Sequence, residues 1–204
     1  SATASTAARG SIGAPASAST ARMYGNEAAV GRGLARSDVD REDVFVATKV
    51  WHDSLAPDDL LASARASRDD LGLETLDLLY VHWPRGSYDP ERTLPALASA
   101  RERGLTRHVG LSNFTPALLD EARELLTGPI AAHQVEMHPL LPQADLRAYA
   151  ADAGHRLVAY CPIARTETAD VPEIAAIADE RGVSPAVVSL AWVLAKGAIP
   201  IPKS

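Results

Sequence analysis

The stretch VFVATKV, residues 44–50, is β-branched and apolar almost throughout, which is typical of a strand buried on both faces. A helical pattern follows and begins at Pro57, with Asp58 and Asp59 in its first turn. The next apolar run is LDLLYV, residues 76–81. This order of strand, helix and strand predicts parallel strands joined by helical crossovers.

The same alternation continues to the end of the chain. Further strands are predicted over residues 107–111, 130–135, 157–160 and 198–201. Further helices are predicted over 91–103, 146–153 and 172–181, and from Pro116 and Pro185. Two folds fit this order, an open doubly wound sheet and a (β/α)8 TIM barrel.

The glycine pattern separates the two folds. A doubly wound dinucleotide-binding sheet carries G-x-G-x-x-G after its first strand, whereas Gly31 and Gly33 lie inside a helical pattern and lack the third glycine. The barrel is therefore favoured. Because a complete barrel takes about 250 residues, a chain of 204 residues predicts an incomplete one.

Composition excludes several classes of function. The net charge of −6 disfavours nucleic acid and anionic membranes as partners, and no apolar stretch approaches the length of a membrane span. Cys161 is the only cysteine, which excludes an internal disulfide and indicates a reducing compartment. We expect a cytoplasmic monomer without a metal site.

The first 20 residues differ from the rest. Ser, Ala and Thr dominate them, and Ile12 is their only large aliphatic side chain. Such a segment buries too little apolar surface to offset its ordering entropy. The sequence therefore predicts a poorly ordered segment over 1–20 and a partial barrel domain over 21–204.

Three polar residues stand where the predicted elements end. Lys49 lies at the end of the first apolar run, His82 follows LDLLYV, and Tyr24 precedes a helix. Taken alone, each has an ordinary explanation: a lysine that reaches water, a core histidine, and a tyrosine that packs beside a helix cap. Taken together they would meet at the C-terminal end of a barrel, where catalytic groups of this fold lie.

This trio suits the protonation of a carbonyl oxygen. A nearby ammonium lowers the pKa of a phenol and makes it a better acid, and an imidazole can hold the oxygen while it gains charge. The set predicts reduction of an aldehyde or ketone, provided that another group supplies hydride.

Other strand ends carry groups that suit a nucleotide cofactor. Ser112, Asn113 and Gln134 offer hydroxyl and amide groups for a carboxamide, and the ring of Tyr160 could stack on a nicotinamide. Lys203 and Ser204 could bind a phosphate. For Asn113 and Gln134, helix capping and sheet pairing are equally good explanations.

Three aromatic residues at strand ends, Trp51, Trp83 and Phe114, could line an apolar substrate pocket. Ordinary packing at the rim of the sheet explains them equally well.

Seven motifs, in order, resemble the aldo-keto reductase family, and most closely its prokaryotic 2,5-diketo-D-gluconate reductase type. They are YGNE (24–27), TKVW (48–51), DLLYVHW (77–83), VGLSNF (109–114), QVEMHP (134–139), VAYCPI (158–163) and IPKS (201–204). The resemblance implies an NADP-dependent barrel enzyme with Tyr24 as acid, Lys49 as its tuner and His82 orienting the carbonyl. It also implies contacts with the nicotinamide from Ser112, Asn113, Gln134 and Tyr160. Lys203 and Ser204 would contact the 2′-phosphate.

One departure concerns the trio directly. The family pattern has Asp-Thr-Ala before the tyrosine, with the aspartate paired to the lysine, whereas this chain has Ser19-Thr20-Ala21. Compared with the family, the chain is also expected to be truncated at both ends. Two alternatives to an active reductase therefore stay open: a catalytically impaired or inactive remnant, and a non-enzymatic interaction domain that uses exposed apolar surface.

Overall fold

A computed structural model of the chain describes residues 16–203, which divide into two compact units, residues 16–131 and residues 132–203. Both units alternate strands with helices. None of the helices within these residues is both long and apolar enough to cross a bilayer.

The first unit is built on four parallel strands that pair in chain order. They are β1 (Ala16–Ser19), β2 (Val44–Val50), β3 (Leu76–Val81) and β4 (Thr106–Ser112). Every residue of β3 is buried. Lys49 of β2 lies opposite Tyr80 of β3, so the ends of these two strands are level with each other.

Four helices belong to the first unit: α1 (Glu27–Ala35), α2 (Pro57–Asp70), α3 (Pro90–Glu102) and α4 (Pro116–Leu125). Three of them begin with proline, which lacks the N–H that would otherwise be unpaired there. The Thr115 side chain accepts a hydrogen bond from the Leu118 N–H and so caps α4. The predicted helix starts at Pro57 and Pro116 are confirmed.

The second unit has three parallel strands, again paired in chain order. They are β5 (Ala132–Glu136), β6 (Arg156–Tyr160) and β7 (Ile199–Ile201), and its helices are α5 (Ala144–Ala153), α6 (Pro172–Arg181) and α7 (Pro185–Ala195). A buried apolar cluster joins them, with Val135 and Met137 beside Leu157, and Val193 of α7.

The strand β1 corrects part of the sequence prediction. The sequence predicts a poorly ordered segment over residues 1–20, yet Ala16–Ser19 pair in parallel with residues 44–47 of β2. Thr20 extends the contact by donating its N–H to the Ala47 carbonyl at 2.9 Å. Backbone pairing to a strongly apolar neighbour stabilises these small residues, and composition does not reveal such pairing. The rest of the predicted segment, residues 1–15, lies outside the described residues.

A buried carboxylate holds the start of the sheet in the first unit. Asp77 of β3 accepts hydrogen bonds from the Val46 N–H at 2.8 Å and from Arg41 at 2.6 Å. Arg107 lies 3.5 Å from its other oxygen. A buried carboxylate without partners is strongly destabilising, so Asp77 needs these contacts. They also link the starts of three successive strands, β2, β3 and β4.

We expect Asp77→Ala to lower the free energy of unfolding by about 3 kcal/mol, because it leaves the buried Val46 N–H without its acceptor and removes the ion pair with Arg41. Arg107→Ala is the matched control. Its side chain is mostly exposed, and its loss should cost less than about 1 kcal/mol. Urea unfolding followed by circular dichroism measures both, and equal losses would contradict the central role of Asp77.

Candidate active site

Tyr24 lies in a short turn between β1 and α1. The 3-10 turn Arg22–Tyr24 ends at Gly25, whose φ of 62° is in the left-handed region that glycine adopts without strain. The Tyr24 N–H donates to the Ala21 carbonyl at 3.0 Å. Tyr24 itself is 53% exposed, so its phenol is open to a ligand from solvent.

Four hydrogen bonds to two side chains, Glu27 and Asn26, hold this turn in place from its C-terminal side. Glu27 is buried and accepts hydrogen bonds from Thr48 at 2.5 Å, Ser67 at 3.1 Å and Arg22 at 2.9 Å. The Thr20 hydroxyl donates to the Asn26 side-chain oxygen at 2.6 Å. Sequence reasoning missed the role of Glu27. The available signal was its position at the end of the YGNE motif, directly before an apolar helix face.

Lys49 is almost completely buried at the end of β2, with 3% of its surface exposed. Its Nζ donates to the Thr20 carbonyl oxygen at 2.9 Å and lies 3.5 Å from the Ser19 hydroxyl. Burial lowers the pKa of this amine to about 8, because the charged form is poorly solvated.

His82 lies just beyond the end of β3 and donates its backbone N–H to the Val50 carbonyl at 3.0 Å. The residue is 8% exposed, and its Nδ1 atom is buried without a hydrogen-bond partner among residues 16–203. Burial, reinforced by the positive charges of Lys49 and His52, lowers the pKa of His82 to about 4. The imidazole is therefore neutral at neutral pH.

The structure places the three predicted residues side by side. The Lys49 Nζ is 5.5 Å from the centre of the Tyr24 ring, and the Tyr24 and His82 rings are 6.0 Å apart and nearly perpendicular. The exposed phenol thus lies next to one buried amine and one buried neutral imidazole. This arrangement can bind a carbonyl oxygen and transfer a proton to it.

Two of the predicted cofactor residues lie beside this cluster. Ser112 is buried at the end of β4, and Asn113 follows it with a left-handed φ of 65°. The Asn113 amide donates to the His82 carbonyl and to the Ser112 hydroxyl, both at 3.0 Å. Amide and hydroxyl groups at this strand end have the donor and acceptor chemistry that a carboxamide needs.

The other predicted cofactor residues belong to the second unit. Gln134 is buried in β5, Tyr160 ends β6 opposite Glu136, and Lys203 is exposed beyond β7. Ser204 lies outside the described residues. Their roles stay predictions.

The three aromatic residues proposed for a substrate pocket differ in position. The Trp51 ring lies 4.9 Å from the His82 ring, next to the trio, whereas the Trp83 ring stacks under the Arg85 guanidinium at 4.1 Å. Phe114 is 2% exposed and packs edge-on against Tyr88 at 5.6 Å. Trp51 is therefore well placed for a pocket, and the burial of Phe114 favours the packing explanation.

Comparison with known proteins gives one family. The model of the aldo/keto reductase family matches residues 18–204. An aldo-keto reductase of Mycolicibacterium vanbaalenii is 41% identical over 186 residues, which cover 91% of this chain and 67% of that protein. The chain belongs to the aldo/keto reductase family. The predicted resemblance is confirmed, and with it the class of enzyme, an oxidoreductase.

A second relative and two solved structures agree with the family. The methylglyoxal reductase DkgB of Escherichia coli O157:H7 is 36% identical over 188 residues, covering 91% of this chain and 70% of that protein. A structure of a protein assigned as a 2,5-diketo-D-gluconic acid reductase B has a TM-score of 0.89 at 35% identity, covering 92% of this chain and 67% of the other. The Bombyx mori aldo-keto reductase in complex with NADP has a TM-score of 0.85 at 30% identity, covering 92% and 68%.

These likenesses confirm the predicted fold class, a (β/α)8 barrel that is incomplete in this aldo/keto reductase chain. The chain spans about two thirds of the length of the relatives named here. The departure at residue 19 lies in the site itself, because the serine hydroxyl is 3.5 Å from the Lys49 amine.

The buried amine gives a pH dependence to stability. An unfolded lysine has a pKa near 10.4, whereas that of Lys49 is about 8 in the folded chain. Between these values the unfolded state binds more protons, so the free energy of unfolding rises with pH.

We therefore expect wild-type stability, measured by urea unfolding, to gain from Lys49 between about pH 8 and about pH 10, and Lys49→Met to lose this gain. Lys196→Met, which removes an exposed lysine, is the control and should keep the wild-type slope. Identical slopes in all three proteins would show that Lys49 titrates normally.

Proposed function

We propose that this protein is an NADPH-dependent reductase of aldehydes or ketones. The observation that carries the proposal is the cluster of Tyr24, Lys49 and His82, with a solvent-exposed phenol between a buried amine and a buried neutral imidazole. Membership of the aldo/keto reductase family supports the same class of reaction.

Tyr24 would act as the general acid. Its hydroxyl gives a proton to the carbonyl oxygen as that oxygen becomes an alcohol. His82 stays neutral near neutral pH, because its pKa is lowered to about 4. A neutral imidazole can donate an N–H to the oxygen without competing with Tyr24 as the proton source.

Lys49 would tune Tyr24 rather than touch the substrate oxygen. Its Nζ lies 5.5 Å from the centre of the phenol ring. In its protonated form it stabilises the negative charge that develops on the phenol oxygen as the proton leaves. With a pKa of about 8, Lys49 is only partly protonated just above neutral pH, which weakens this support as pH rises.

NADPH, when bound, would supply the hydride. In the first unit, Ser112 and Asn113 would hold its carboxamide. For the second unit, the family resemblance implies a carboxamide contact from Gln134, stacking of Tyr160 on the nicotinamide and, with Ser204, a 2′-phosphate contact from Lys203. The observation that supports the fit is the amide of Asn113, fixed by two hydrogen bonds beside His82. The relatives include an aldo-keto reductase crystallised with NADP.

The substrate would be a small carbonyl compound that packs against Trp51, with Trp83 and Phe114 as the further pocket residues predicted from sequence. We also propose a cytoplasmic monomer that acts without nucleic acid or membrane partners.

A catalytically impaired enzyme is the second candidate, and one observation favours it. The group nearest to Lys49 on β1 is a serine hydroxyl at 3.5 Å, not a carboxylate. A hydroxyl does little to keep the amine protonated, so proton transfer from Tyr24 is expected to be slow.

Tyr24→Phe tests the proposed acid. It should lower kcat for NADPH-dependent reduction of a reactive aldehyde by about a hundredfold or more, because it removes the transferred proton. Tyr88→Phe is the matched control, since its hydroxyl is buried and has no hydrogen-bond partner among the described residues. Turnover that is absent in the wild type, or equal in Tyr24→Phe, would defeat the proposal; absorbance of NADPH is the measurement.

Ser19→Asp tests the impaired-enzyme candidate. A carboxylate at this position would reach the Lys49 amine and keep it protonated, so kcat should rise by about tenfold or more. The decline of kcat with rising pH should also begin at a higher pH. Ser19→Asn has the same size without the charge and should leave the rate near the wild-type value. An unchanged rate in Ser19→Asp would exclude the missing carboxylate as the cause of slow turnover.

A further inference from the structure

The buried amine of Lys49 has no carboxylate partner in the part of the chain that the structure describes. No Asp or Glu of residues 16–203 forms an ion pair with it, and its contacts are the Thr20 carbonyl at 2.9 Å and the Ser19 hydroxyl at 3.5 Å. Both groups can accept a hydrogen bond from an amine, whether or not that amine is charged. Nothing in this environment fixes Lys49 as an ammonium.

Its burial therefore favours the neutral form. The pKa of Lys49 is lowered to about 8, whereas an ordinary lysine has a value near 10.4. Near pH 7.5 the fraction present as free amine is thus larger than for an ordinary lysine by about two orders of magnitude. The free amine is the nucleophilic form, and desolvated lysines of this kind react with carbonyl compounds.

The amine also lies close to the surface despite its burial. Ser19 is exposed and its hydroxyl is 3.5 Å from Nζ. Tyr24 is an exposed residue, and the centre of its ring is 5.5 Å from Nζ. Two residues that reach solvent are therefore adjacent to Nζ.

We propose that Lys49 forms a reversible Schiff base with small aldehydes and ketones that enter the site of Tyr24 and His82. The class of compound rests on the proposed function, whereas the bond itself does not require NADPH or turnover. The inference gives this site a second, covalent mode of carbonyl binding.

The step balances without an oxidant or reductant. The Nζ lone pair attacks the carbonyl carbon, the electrons of the C=O π bond move to oxygen, and the proton that the nitrogen then loses is transferred to that oxygen to give a neutral carbinolamine. Tyr24 can give a proton to the hydroxyl group, which leaves as water while the nitrogen lone pair forms the C=N bond. The phenolate takes back the proton that the nitrogen loses, and hydration reverses the sequence.

The sequence makes the reaction easy to locate. The chain has three lysines, Lys49, Lys196 and Lys203. The other two are exposed. The N-terminal amine is the remaining competitor, since α-amino groups have a pKa near 7.7–8.0.

The experiment is reductive trapping of the intact chain with propanal and cyanoborohydride near pH 7.5, without NADPH, followed by peptide mapping by mass spectrometry. We expect a propyl group on Lys49 with an occupancy at least about tenfold above that of Lys196. In urea the two lysines should react equally. Equal labelling in the native protein, or no label on Lys49, would overturn the inference.

Ser19→Asp provides a second test that does not remove the lysine. A carboxylate beside Nζ should hold it as an ammonium and lower its labelling by about tenfold, while the N-terminal amine is labelled as before. Ser19→Asn, without the charge, should retain labelling. Unchanged labelling of Lys49 in Ser19→Asp would contradict the inference.

Labelling of Lys49 and oxidation of NADPH are independent measurements, so each proposal can fail without the other. Labelling of Lys49 in a protein that does not oxidise NADPH would overturn the reductase proposal alone. Turnover of NADPH without selective labelling of Lys49 would overturn the Schiff base alone.

Discussion

The hydrogen bond from the Lys49 amine to the Thr20 carbonyl, at 2.9 Å, joins the end of β2 to the chain that leaves β1. That chain then forms the turn that carries Tyr24. The position of the phenol therefore depends on a lysine that is itself unfavourably buried. In a dry site, a single carbonyl acceptor compensates an ammonium only in part. The geometry of the candidate active site and the reactivity of its amine are consequences of the same contact.

Two buried carboxylates stabilise the first unit at opposite ends of β2, and neither of them forms an ion pair with Lys49. Asp77 accepts the Val46 N–H and binds Arg41 near the start of the strand. Glu27 accepts hydrogen bonds from Thr48, one residue before Lys49, and from Ser67 and Arg22. Fully satisfied buried networks of this kind fix their surroundings rigidly. The turn of Tyr24 is thus well positioned even though the charge that would tune it is weakly supported.

Sequence reasoning predicted the strands around Lys49 and His82 well, because residues buried on both faces leave a continuous apolar signal. It also predicted that three residues distant in the chain would meet, since parallel strands place their ends at one edge. It failed at Ala16–Ser19, whose order comes from backbone pairing to β2 and leaves no trace in composition. Glu27 was missed for a related reason: its importance lies in partners 5 to 40 residues away, which no local pattern displays.

With serine at position 19, the Lys49 nitrogen can take part in two reactions that need opposite protonation states. Proton transfer from Tyr24 benefits from Lys49 as an ammonium, because a positive charge stabilises the developing phenolate. Imine formation requires the free amine, because only the neutral nitrogen has a lone pair to attack a carbonyl carbon. Burial lowers the pKa of Lys49 to about 8, so both forms are present near neutral pH. A carboxylate at position 19 would favour the ammonium, and a serine leaves the balance to pH. The residue on β1 therefore decides which reaction with a bound carbonyl compound the lysine supports.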